Sequence, residues 1–221
     1  MYQKFGKRLF DITFSFLAIV LLSPLLLLII ILLLLTGEHR VFYFQTRIGH
    51  RNKPFKIWKF VTMLKDSPKM GTGTITLSND PRVLPVGRIL RFTKINELPQ
   101  LFNVLCGQMS FVGPRPMVRK GWMRFDPEIR YRIYNQKPGI TGISSLIFRD
   151  EASIVQKLGG DPTTIYTTII FPTKAKLEMW YQENLSMITD LKIILLTAWS
   201  LPFPQNQLHR RWFKNLPDIP F

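Results

Sequence analysis

The sequence predicts an α/β, helix-dominated domain held at a membrane by a re-entrant N-terminal helix, with amphipathic helices resting on the membrane surface. Three observations carry that reading. Residues 12–36 form an almost uncharged apolar run with Ser23-Pro24 near its centre. Basic residues stand on both sides of it, Lys4, Lys7 and Arg8 before and Arg40, Arg47, Arg51 and Lys53 after. Beyond the run, short segments that alternate apolar and polar residues are followed by stretches with helical apolar spacing.

The run is long enough to cross a hydrocarbon core of about 30 Å, which takes roughly 20 apolar residues. Pro24 argues for another path, because it lacks an N–H and its ring clashes with the preceding turn. The Ser23 hydroxyl can bond a carbonyl freed there. A helix that crosses once gathers its basic excess on one side; here both flanks are basic. The expectation is a segment that dips in and returns, broken at Ser23 and Pro24 into two legs of about 12 residues and about 18 Å each. No small-residue cleavage site follows, so the run does not read as a signal peptide. The chain divides into a membrane-inserted helix over residues 1–36, a cytoplasmic domain over 37–201 and an extended tail over 202–221.

The strand candidates come next. Val41 to Phe44 and the alternating Phe55 to Phe60 (FKIWKF) read as strands. Asp66 to Pro81 is polar, with Pro and Gly, and reads as a long loop. Val86 to Phe92 reads as a short helix carrying Arg88 and Arg91. Leu98, Leu101, Phe102 and Leu105 then define one apolar helix face, with Asn96 as N-cap, Pro99 in the first turn and Gly107 as the stop. Ser110 to Pro116 ends in a rigid turn, and residues 117–137 read as helical and strongly basic. Lys174 to Glu183 and Thr189 to Leu201 read as further helices, the last apolar enough to lie on the membrane or the core.

Charge narrows the partners. Thirty Lys and Arg against 14 Asp and Glu leave a net charge of +16, which calls for anionic partners. Lipid headgroups and phosphorylated substrates suit a membrane-bound chain better than nucleic acid does. Cys106 is alone, so no internal disulfide is possible, and its apolar setting (LFNVLC) predicts burial. His39, His50 and His209 lack metal-ligand spacing. There is no Walker loop, nucleophile elbow or dinucleotide fingerprint; Met70 to Thr76 (MGTGTIT) reads as a loop.

The helix start at Asn96-Glu97 is the candidate site. Free N–H groups at a helix start favour a carboxylate or phosphate. Arg82, Arg88, Arg91 and Lys94 precede it with no acid after Asp80, and Arg115 follows between two prolines. Two readings stand level on these residues. In one the cluster holds a diphosphate through arginine forks; in the other Glu97 serves the helix dipole while the basic residues face anionic lipid.

Five segments in order break that tie. They are KRLFD at 7–11 with the Ser23-Pro24 break, FQTRIG at 44–49, PFKIWKFVTM at 54–63, the long NDPRVLPVGRILRFTKINELPQLFNVLCGQMSFVGPRP at 79–116, and KPGITG at 137–142. On these the chain resembles the bacterial sugar transferases, monotopic phosphoglycosyl transferases, over nearly its whole length. The resemblance implies a Ser-Pro-broken helix in the cytoplasmic leaflet of the bacterial inner membrane. It also implies transfer of a phosphosugar from a UDP-sugar to undecaprenyl phosphate with release of UMP, the step that initiates exopolysaccharide, O-antigen or glycoconjugate synthesis. Family members use an Asp-Glu dyad with Mg2+, the Asp attacking the β-phosphate. Glu97 then becomes the principal acid and Mg2+ ligand, Asn96 occupies the nucleophile position, and Arg115, Arg82, Arg88, Arg91, Lys59 and Arg47 become phosphate contacts.

Three departures follow. Asn96 is a neutral amide where the family has its nucleophile, and an amide is a poor nucleophile and a weak Mg2+ ligand. Val61 replaces a common arginine. ISSLIFRDE after KPGITG departs from GWAQVNGR in a region expected to shape sugar recognition, where Arg149, Asp150 and Glu151 offer polar groups or a charged loop. Retained transferase activity is the expectation; the alternative is a catalytically silent relative that binds lipid phosphate or acts as a scaffold. A homo-oligomer is compatible with the sequence, which sets no oligomeric state.

Overall fold

The computed structural model describes residues 2–67, 70, 80–201, 203 and 208–220. Helices dominate, as the sequence predicts, around two small sheets. Helix α1 (Lys7–Leu35) is followed by the antiparallel pair β1 (Phe42–Ile48) and β2 (Pro54–Phe60). Then come α2 (Pro85–Phe92), a 3₁₀ turn at Ile95–Glu97, α3 (Gln100–Leu105) and β3 (Ser110–Val112). The basic stretch forms two short helices, α4 (Arg119–Trp122) and α5 (Pro127–Ile133), rather than one. Asp126 caps the second, accepting from the Glu128 N–H, and Pro127 begins it. Next are β4 (Gly139–Thr141), α6 (Ile143–Ile147), α7 (Glu151–Leu158), α8 (Pro162–Ile165), α9 (Phe171–Glu183) and α10 (Met187–Trp199). The tail is not wholly extended: it forms α11 (Leu208–Trp212), and Phe213 is buried against Trp180.

Helix α1 runs on through Pro24 instead of ending there. The local reason is visible. Proline cannot donate to the Val20 carbonyl, and the Ser23 hydroxyl donates to it instead at 2.8 Å. The buried positions Lys7, Asp11, Ser15, Leu26, Ile29 and Leu33 follow one helical stripe, continued by half-buried Ala18 and Leu22. The stripe is polar at its start and apolar at its end. Asp11 accepts from the Ser110 hydroxyl and the Phe111 N–H, and Arg8 donates to the Val104 and Leu105 carbonyls. Leu26, Ile29 and Leu33 pack with Phe60 and Leu90, each such burial worth roughly 1.5–3 kcal/mol. The remaining faces expose Phe16, Leu17, Leu21, Leu28 and Ile31.

Two backbone crossings fix what lies beyond α1. A Cβ on Gly87 would meet the Thr62 carbonyl oxygen at 2.2 Å, so only glycine lets α2 cross the exit of β2. Parallel strands β3 and β4 bring VGPRP against KPGITG. Gly113, Gly139 and Gly142 meet there so closely that a Cβ on any of them would fall 2.2 Å from backbone. The main core lies behind this junction, where Ile143, Ile170, Leu177, Ile193 and Leu196 are fully enclosed. Cys106 is exposed rather than buried, because it closes α3 at a surface turn that Gly107 completes with a positive φ of 80°.

Candidate active site

Glu97 sits in the turn between α2 and α3, and the backbone ahead of it is unusual. Lys94 adopts the left-handed conformation, φ 62°, a strained choice for a residue with a Cβ. It ends α2 and turns the chain into Ile95–Glu97. Asn96 is therefore not the N-cap that the sequence suggests: it is buried inside the 3₁₀ turn, and Pro99 begins α3 without a side-chain cap. The free helix start expected at Asn96-Glu97 is replaced by a turn whose side chains face a cavity.

Asn103 sets the distance from this turn to β2. Its amide donates to the Lys56 carbonyl and its oxygen accepts from the Trp58 N–H, both within 2.9 Å, clamping α3 along the strand. Lys59 then reaches Glu97, Nζ to Oε1 at 2.6 Å. Burial pushes the Glu97 carboxyl upward, but Lys59, Arg115 and Lys94 together hold it down to about 2. Burial lowers the Lys59 ammonium, with Glu97 opposing and the charges of Arg115 and Arg47 adding to the fall.

Arg115 projects from the turn after β3, between Pro114 and Pro116. The glycine junction places that turn, Gly139 N–H bonds the Pro114 carbonyl at 3.0 Å, and the Tyr134 hydroxyl donates to the Arg115 carbonyl at 2.9 Å. Arg47 on β1 bonds Gln45 and, at 3.4 Å, the Pro116 carbonyl. Its guanidinium is lowered by burial and by the charge of Arg115. Arg91 lies within 3.4 Å of the Thr62 hydroxyl.

These groups border two cavities. One, of about 480 Å³, is lined by Arg47, Lys59, Arg91, Lys94, Asn96, Glu97 and Arg115 and is polar and basic. The other, of about 750 Å³, is mostly apolar, with Ala18 and Leu22 of α1, Leu98, Leu101 and Phe111 among its walls. Lys94, Glu97 and Arg115 line both.

Two predicted phosphate contacts stand elsewhere. Arg82 is buried on Asp80 at 2.6 Å, and also donates to the Ser67 and Met70 carbonyls, so it braces the chain ahead of α2. Arg88 is exposed on α2 and lines neither cavity. The loop expected over Met70 to Thr76 lies outside the described residues beyond Met70. Residues the sequence did not single out include Asn103, Tyr134 and Glu178. A polar Asn103 amid LFNVLC was the available signal, since an amide inside an apolar helical pattern needs partners.

The bacterial sugar transferase family model matches residues 2–203. The chain belongs to the bacterial sugar transferases. It is 32% identical over 206 residues to the exopolysaccharide production protein ExoY of Sinorhizobium fredii, covering 87% of this chain and 83% of that one. It is 36% identical over 206 residues to the UDP-glucose:undecaprenyl-phosphate glucose-1-phosphate transferase of Klebsiella pneumoniae, covering 87% of this chain but only 39% of that protein. With the undecaprenyl-phosphate galactose phosphotransferase of Salmonella typhimurium it shares 31% over 210 residues, covering 89% of this chain and 40% of the relative. This sugar transferase is accordingly an enzyme.

The pair has a pH signature. Because the folded Glu97 carboxyl lies below its ordinary 4.5, the stability it contributes is present above that value and is lost as pH falls toward about 2. In Lys59→Met the largest opposing charge is gone and the upward push of burial remains. Carbon-13 titration of the Glu97 carboxyl should show its midpoint climbing from the parent's value toward 4.5 or beyond; an unmoved midpoint would mean that Lys59 does not govern it.

Proposed function

We propose that the enzyme moves a sugar 1-phosphate from a UDP-sugar to undecaprenyl phosphate, releasing UMP, as the initiating step of surface-polysaccharide or glycoconjugate synthesis. The observation that carries this is the shared wall: Lys94, Glu97 and Arg115 border a basic polar cavity and a large apolar one at once. A nucleoside diphosphate suits the first and a polyprenyl chain the second. The phosphorus to be exchanged belongs where the two meet, among cations that offset charge on phosphate oxygens.

The route follows from the acids present. Asn96 has no carboxylate to offer, and Glu97, held to about 2 and bonded to Lys59, is a weakly basic oxygen. An oxygen of the lipid phosphate attacks the β-phosphorus of the donor. The bond from that phosphorus to the bridging oxygen breaks, and UMP leaves with the electron pair. Glu97 remains ionised throughout. Among the described residues no three His, Cys, Asp or Glu side chains gather as a metal cage. Mg2+ fits in its other common form, on one carboxylate and the substrate's own phosphate oxygens. Glu97, with the Asn96 amide beside it, would hold that ion, which supplies charge neutralisation on the diphosphate.

Both ends of α1 support a segment inserted at one face of the membrane without crossing it. The helix is about 43 Å long, yet its first turns bond β3 and α10 and its last pack on β2 and α2, all parts of one body. A helix crossing about 30 Å of hydrocarbon would carry one end away from that body. The exposed apolar residues of α1, with Ile89 and Phe92 of α2 and Leu195 and Trp199 of α10, would face the lipid. We place the enzyme on the cytoplasmic face of the bacterial inner membrane, where nucleotide sugars are made available.

UMP release from UDP-sugars, followed with and without undecaprenyl phosphate, tests this reading. Release that needs the acceptor is the expected result; no release from any sugar sinks the proposal. A burst of UMP without acceptor would instead assign the first attack to Glu97. Asn96→Asp restores a carboxylate at the cavity wall and is expected to produce that acceptor-independent burst, one UMP per protein at most.

A further inference from the structure

We infer that Glu178, on α9 at the wall of the apolar cavity, recognises the hydroxyl or N–H groups of the sugar being transferred. Its carboxylate is 3% exposed. The Ser144 hydroxyl of α6 donates to Oε1, while Oε2 is buried with no hydrogen-bond partner among the described residues. Native interiors rarely leave such an oxygen unmatched unless a ligand or water completes it. Burial pushes the carboxyl up to about 7, with the Ser144 hydroxyl and the Lys174 charge opposing. Lys174 gives its ammonium to Glu151 rather than to Glu178.

The surroundings say what the missing partner is. Glu178, Ser144, Arg149, Glu151 and Lys174 are polar groups in a mostly apolar cavity, which Thr141, Thr197, Glu97 and Arg115 also line. A phosphate dianion has no hydrogen to donate to Oε2. A polyprenyl tail has no hydrogen to donate. No third His, Cys, Asp or Glu joins Glu151 and Glu178 as a metal cluster among the described residues. The uridine has the basic cavity available. Of the reactants' parts only the sugar is uncharged, rich in donors and covalently joined to the phosphate at Arg115. This inference rests on the proposed transfer reaction and adds to it the wall that reads the sugar. It also locates the chemistry of the divergent ISSLIFRDE segment: Ser144, Arg149 and Glu151 come from it, whereas Asp150 is occupied as the cap of α7, accepting from the Ser153 N–H.

The test compares binding of UDP with that of UDP-glucose, UDP-galactose and UDP-N-acetylgalactosamine to the full chain in lipid nanodiscs, by competition. In the parent the best sugar nucleotide binds more tightly than UDP. Glu178→Gln should narrow that gap by roughly 10- to 100-fold, the worth of one hydrogen bond to a charged group, and leave UDP affinity unchanged. Arg149→Ala, an exposed side chain whose removal spares the core, should narrow it in the same direction. Equal weakening of UDP and UDP-sugar, or an unchanged gap in both variants, overturns the inference. The parent reading is separable. A gap that closes in Glu178→Gln while no UMP is ever released keeps the sugar site and removes the transferase. UMP release with unaltered sugar preference in both variants does the reverse.

Discussion

In Glu97→Gln, UMP release falls on the order of 10³-fold while UDP-sugar affinity holds or rises. The asymmetry follows from the site's charges. Among the described residues that line the basic cavity, Glu97 and Glu38 are the acids, against Lys59, Lys94, Arg115, Arg47 and Arg91. Neutralising it frees Lys59, now 2.6 Å from Glu97, to meet the diphosphate directly. Ground-state binding of an anion improves, but the carboxylate that positions Lys59 and would hold Mg2+ is gone. Steady-state kinetics check this as a fall in kcat with a KM for donor that is equal or lower. A rise in KM with kcat unchanged would demote Glu97 to a binding contact. Gln keeps the side-chain volume, so a folding defect does not mimic the result.

Much of this site was legible because short-range rules govern it. The alternating FKIWKF segment forms β2, and the strand read at Val41 to Phe44 is part of Phe42–Ile48, which pairs with it antiparallel. Val86 to Phe92 lies within α2, and Arg115 is held by its flanking prolines at the place where Lys59 and Glu97 meet. The misses are tertiary. Asn96 has the residue type of an N-cap, but the left-handed turn at Lys94 carries it inside a 3₁₀ segment. Arg82 carries the same charge as Arg115, yet Asp80 two residues earlier takes it into a buried pair. Pro24 predicts a broken helix by its lost donor; Ser23 supplies the donor one residue away, and the helix continues. Glu178 was invisible for a different reason. Nothing in the helix read over Lys174 to Glu183 sets Glu178 apart from its other charged residues, and only packing against α6 reveals that the glutamate points inward.

The second large effect is expected where α10 meets the start of α1, in Asp190→Asn. The Asp190 carboxylate accepts from the hydroxyls of Tyr2 and of Tyr181 on α9, each at 2.6 Å, and pairs with Lys7 at the start of α1. Asparagine offers one acceptor and an amide donor where three donors converge, and it leaves the buried Lys7 ammonium without a counter-charge. Breaking such a pair from one side costs about 3–5 kcal/mol. Because α1 lies on the body as one stripe, the loss should appear as faster hydrogen exchange over residues 7–18 before the body itself melts. Adding Lys7→Met removes the orphaned charge, so the double variant should recover a large part of the loss; equal instability in single and double variants would mean that the pair is not the anchor. The consequence for function follows from the cavity wall. Ala18 and Leu22 of α1 line the apolar cavity and not the basic one. Loosening α1 should therefore raise KM for the lipid acceptor several-fold and leave UDP affinity unchanged, which ties the membrane segment to the acceptor rather than merely to the membrane.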